Sequence, residues 1–162
     1  MIRIATIAAF LSLAVPAHAQ QADPFKIEES SMMGRSPSTP ADKRVTGDSL
    51  GELTGVRGAA WWQVLGHCAG AYKYRGTALR KVGDAGAPAI EDMGKRLLLW
   101  GVERLQKDRG ASLDQASAIM AAELEYGVLS AEDGGETNRP FAVDQTRCRD
   151  VQRRYVAFLR TG

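Results

Sequence analysis

Apolar residues recur at helical spacing from about residue 59 onward and at no regular spacing before it. Trp61, Leu65, Cys68, Tyr72, Leu79 and Val82 fall on one stripe at intervals of four, three, four, seven and three, which is the period of one face of an α-helix. The spacing predicts a first helix over 59–82, with Arg75 in the skipped stripe position and the adjacent Gly76 as the one place where a kink or break would fall. Gly66 and Gly70 lie one turn apart. Each costs about 1 kcal/mol relative to alanine in a helix, so the pair predicts a seam where another helix comes close.

Gly83-Asp84-Ala85-Gly86-Ala87-Pro88 reads as a turn, with Pro88 suited to open the next helix. A second helix is predicted over 89–107, with Ile90, Met93, Leu97 and Trp100 on one face and Leu98, Val102 and Leu105 on another. So wide an apolar belt implies burial on two or three sides, making this either the central helix or one whose surface meets a partner. Gly110 is the expected left-handed stop. Ser112 and Gln115 form a capping box for a third helix running through Leu113, Ala116, Met120 and Leu124 to an expected stop at Gly127. Residues 130–140 carry loop chemistry. Asp144 is then placed to cap a fourth helix with Cys148, Val151, Tyr155, Phe158 and Leu159 as its apolar stripe. No internal repeat and no strand-like alternation bounded by hairpin signals interrupts this pattern. The predicted fold class is all-α: a small bundle of about four helices.

The first residues follow a different logic. A single basic residue, Arg3, precedes an apolar run from Ile4 to Val15, then Pro16 and the small-x-small sequence Ala17-His18-Ala19. This is the plan of a secretory signal peptide cleaved after Ala19, and the run is too short for the roughly 20 residues of a bilayer span. The chain is therefore expected in the periplasm or outside the cell, with no transmembrane span in its mature form. From Gln20 to Gly58, prolines, serines and glycines predominate without a sustained apolar period, and a flexible arm is expected. The predicted organisation is a signal peptide over 1–19, an arm over 20–58 and a helical domain over 59–162.

Charge and cysteines narrow the picture. Loss of Arg3 takes the formal charge from +2 to +1, near enough to neutral to argue against nucleic acid as a partner. The chain has two cysteines, Cys68 and Cys148, and in an oxidising compartment such a pair points to a disulfide. Both fall on the apolar stripes of their helices, which places them inward and supports a staple between the first helix and the last.

Candidate chemistry is sparse. His67 is the histidine that remains after cleavage, and its wheel neighbours Gln63, Gly70 and Tyr74 put it on the face away from the cysteine stripe, where it is expected to be solvated or structural and without a catalytic partner. The carboxylate pairs Glu91 and Asp92, Glu123 and Glu125, and Glu132 and Asp133 are one or two residues apart, so within a helix the members of a pair point in different directions and do not converge for glycoside hydrolysis. Ser49 and Ser130 lie outside any nucleophile elbow, and Gly134-Gly135 lacks the strand–loop–helix setting of a phosphate cradle. No catalytic residue, metal site or cofactor is predicted. Arg149, Arg153 and Arg160 cluster opposite the apolar stripe of the fourth helix, either as a solvated outer face that suits the helix C-terminus or as a surface for an acidic partner or an anionic membrane. Trp62, about 100° round from Trp61, is the aromatic residue chosen for a binding surface, the alternative being that it packs against the second helix or the arm.

These residues suggest an exported, non-enzymatic protein acting by protein–protein interaction as an adaptor, inhibitor or chaperone-like subunit, with another envelope protein as partner. The alternatives are a cell-envelope enzyme with a carboxylate pair assembled across helices, or an arm-tethered component of an envelope complex. The plan of a small exported helical protein with one disulfide is similar to that of periplasmic acid-stress chaperones and some immunity proteins of secreted effectors. That likeness is one of architecture.

Overall fold

A computed structural model of the chain describes residues 36–46, 56–132 and 145–161. Four helices account for most of them: α1 (Trp61–Lys81), α2 (Ala87–Arg109), α3 (Leu113–Glu132) and α4 (Gln145–Thr161). The described residues contain no strand, only one antiparallel bridge between Arg44 and Ala60. The expected signal peptide, the Asp144 cap and the loop over 133–140 lie outside the described residues. None of the described helices is long and apolar enough to cross a membrane.

The centre of the bundle is α1 and not α2. Every residue from Trp61 to Gly70 is buried, because α2, α3 and α4 all pack on this helix. Small residues make that enclosure possible. A Cβ on Gly66 would lie 2.6 Å from the Cβ of Glu123, and one on Gly70 would meet the Leu124 carbonyl and come within 2.6 Å of the Val128 nitrogen, so α3 rests on α1 nearly backbone to backbone. The wide belt of α2 is less completely covered, and Leu99 stays 63% exposed. Replacing Gly70 by alanine is expected to cost about 3 kcal/mol, since the obstructing atoms are backbone and cannot swing aside. Urea denaturation measures the loss.

The helix boundaries follow local chemistry with two departures. Gly110 adopts φ 65° and ends α2. The Ser112–Gln115 capping box forms in both directions, with Gln115 N–H donating to Ser112 Oγ at 3.2 Å and Ser112 N–H to Gln115 Oε1 at 3.0 Å. The first departure is that α1 passes Gly76 as a continuous helix, with that glycine buried against Glu91. The second is that α3 passes Gly127 and continues to Glu132. Gly127 is small because the His67 backbone crosses it, its Cα 2.8 Å from where a Cβ would stand. Both glycines mark close approaches and neither is a break.

Parts of the stretch read as an arm hold fixed places. Val45 N–H donates to the Ala59 carbonyl at 2.8 Å, Gly58 N–H to the Val45 carbonyl at 2.9 Å, and Trp61 N–H to the Lys43 carbonyl at 2.9 Å. The last of these satisfies a donor that the start of α1 leaves without an intrahelical acceptor. Val45 and Val56 are buried at 2% and 1% exposure. Two isolated valines carry no periodic signal, so their contribution to the core arises from the strap's path across α1.

Cys68 and Cys148 are joined, with Cα atoms 5.3 Å apart. Around the bond, Trp61 packs on Tyr155 and Phe158 with ring centroids 5.3 and 5.5 Å apart. On the α4 stripe Leu159 is the exception, 46% exposed at the edge of the contact.

Candidate functional site

Three arrangements of polar side chains stand out, and only one faces solvent. The first lies where α1 crosses α3. His67 Nε2 sits 2.9 Å from Glu123 Oε2, and the two side chains are 1% and 0% exposed. The Tyr126 ring lies against the imidazole, centroids 4.6 Å apart. Of the solvated and structural places expected for His67 the structural one holds, and its expected lack of a partner is corrected, because α3 covers the face that the wheel left open. A signal for it was present in the sequence: Glu123 follows Ala116 and Met120 at helical spacing, which puts a carboxylate on an apolar stripe. General acid–base chemistry requires hydrogen-bond reach to a substrate, and this pair is sealed from solvent, so its role is to link the two helices.

The second arrangement fastens the strap to the end of α2. The Arg109 guanidinium donates to both carboxylate oxygens of Asp42 at 2.9 and 2.8 Å and to the Pro37 carbonyl at 2.7 Å. It also lies 4.8 Å over the Trp62 ring. Trp62 is fully buried beneath this pair and clusters with Val102 and Leu105 of α2 and Ala116, Ile119 and Met120 of α3, so of its two expected places the packed one holds and the binding surface is corrected. Burial pushes the Asp42 carboxyl up, but the Arg109 hydrogen bonds, the Thr39 backbone N–H, the Arg109 charge and the Trp62 indole together hold it below its ordinary value.

That direction sets an acid response. A depressed carboxyl stabilises the fold above the unfolded-state value and loses its contribution as pH falls through the folded-state value. The contribution of Asp42 is therefore complete above pH 3.8 and drains away below it. Asp42→Asn is expected to lower stability by about 2 kcal/mol at neutral pH and to flatten the loss of stability below that pH. Acid titrations of both proteins followed by circular dichroism check this.

The third arrangement is an open groove between α2 and α4, about 770 Å³ in volume, lined by Met93, Arg149, Asp150, Gln152, Arg153 and Val156. Arg149 and Arg153 are exposed one turn apart on α4. Arg153 pairs with Asp150 in the adjacent turn. Arg149 lies beside Tyr72 of α1: burial pushes the Tyr72 phenol up, and the guanidinium partly offsets it. Arg160 is exposed further along α4 and is not among the residues lining the groove. Two of the three arginines singled out in the sequence thus meet at one concave surface, with Met93 and Val156 as its apolar component.

Three of the carboxylates considered for catalysis are engaged in pairs, Glu123 with His67 as described. Glu91 pairs with Arg80, and Asp92 lies 3.2 Å from Lys95; Asp133 is outside the described residues. Among the described residues no group of three or more His, Cys, Asp or Glu side chains is placed to hold a metal ion. No protein-family model, curated protein or solved structure matches the chain.

Proposed function

We propose that the protein acts by protein–protein interaction in the cell envelope, as an adaptor, inhibitor or chaperone-like subunit, and that the α2/α4 groove receives an acidic segment of its partner. The observation that carries this reading is the pairing of exposed Arg149 and Arg153 with Met93 and Val156 in one groove. Arginine is favoured at such surfaces because its planar fork binds carboxylates in a bidentate manner while its stem covers apolar area. One acidic residue, Asp150, lines the groove beside the two arginines, which leaves its lining net positive. An α4 stapled to α1 holds both guanidinium groups on a rigid element.

Photo-crosslinking from Val156 in native cells tests the reading. A discrete envelope protein is expected as the product, and its binding should weaken at least about tenfold with Arg149→Glu and Arg153→Glu combined. Both positions are exposed, so the fold should survive the change, and far-ultraviolet circular dichroism verifies this. Capture of the same protein with undiminished affinity by the charge-reversed variant would sink the proposal.

A further inference from the structure

We propose that a second groove, between α1, α2 and α3, binds a medium-chain carboxylate. Its apolar floor consists of Ala69 from α1, Gly94 and Leu98 from α2, and Leu124 from α3, enclosing about 280 Å³. A Cβ on Gly94 would lie 3.1 Å from the Ala69 carbonyl oxygen, so α1 and α2 meet closely at the floor, and the recess lies beside that contact among the lining side chains. Along α1 the lining residues Ala69, Lys73 and Thr77 succeed one another at one-turn intervals. The recess is therefore a trough about 12 Å long by helical rise, suited to an unbranched chain. Its volume lies near the lower limit of ligand pockets, about 300 Å³, which suits one short acyl chain and excludes a diacyl lipid.

The charges at the rim select the head group. Glu91 is engaged by Arg80, and Lys95 lies 3.2 Å from Asp92. Lys73 is exposed and has no ion-pair partner among the described residues. An apolar trough bordered by one uncompensated ammonium complements a ligand with an apolar tail and a single negative head. A carboxylate meets that requirement, with Lys73 Nζ donating to it while the tail lies along Leu98 and Leu124.

Calorimetric titration of the natively purified protein with octanoate, decanoate and neutral octanol tests the assignment, with methyl NMR shifts of Ala69, Leu98 and Leu124 locating the ligand. Decanoate is expected to bind about tenfold more tightly than octanoate, from two further buried methylenes, and octanol more weakly than octanoate. Lys73→Glu should weaken carboxylate binding about tenfold and leave octanol unchanged. Both measurements on the unaltered protein stand apart from that variant. Absence of carboxylate binding, methyl shifts confined to other residues, or equal affinity of the Lys73→Glu variant for octanoate would each overturn the proposal.

Discussion

Reduction of the Cys68–Cys148 bond is expected to remove about 4 to 5 kcal/mol of stability, the loop-closure value for a bridge of this span. The bond closes 80 residues of chain and joins the central helix to the last one. In a small domain whose whole stability is about 5 to 15 kcal/mol, that loss is decisive, and the melting temperature should fall by about 10 to 20 °C. The structure also indicates where the loss appears first. Of the helices packed on α1, α4 has the smallest contact, and it is held by the cysteine bridge together with Val151, Tyr155 and Phe158. Hydrogen exchange after reduction should therefore rise in α4 before it rises in α1 or α3. Because α4 carries Arg149 and Arg153, partner binding at its groove should be lost over the same range of reductant. An unchanged melting temperature on reduction would show that packing alone holds α4 in place.

Glu123→Ala is expected to cost about 3 to 5 kcal/mol, the range for removing one member of a buried pair. The imidazole of His67 would be left facing a cavity with no route to water, since both side chains sit at 1% exposure or less. Replacing both residues, with His67→Leu and Glu123→Leu together, should recover most of the loss, because an apolar pair leaves no buried polar group unsatisfied. A double-mutant cycle in chemical denaturation measures the coupling. A single substitution costing less than about 1 kcal/mol would mean that the α1–α3 crossing rests on its glycines alone. The buried pair confers directionality on that crossing: Gly66, Gly70 and Gly127 permit close approach, while the 2.9 Å contact requires one register.

Much of the architecture was legible because its signals are local. The stripe through Trp61, Leu65, Cys68 and Tyr72 predicts α1; the Ser112–Gln115 box opens α3 within a residue of its expected start; Gly110 stops α2 where its left-handed conformation is needed. The inward placement of Cys68 and Cys148 on two separate stripes anticipated the bond between them. The candidate surface was half legible. Arg149 and Arg153 could be placed opposite an apolar stripe by a helical wheel, but their meeting with Met93 across a groove depends on where α2 lies.

Periodicity, capping and cysteine placement act over a few residues, so the sequence by itself determined four helices, their approximate ends and the disulfide between the first and the last. What covers each face of α1 was decided only in three dimensions. Trp62 and His67 were each left between an exposed and a packed place because a wheel reports the angle of a side chain and not the element opposite it. The strap's Asp42 with Arg109 of α2, and core residues of α2 and α3, seal Trp62, and α3 seals His67 through Glu123. Both closures rest on contacts distant in sequence, and the second is possible because glycines at the crossing let two backbones come together.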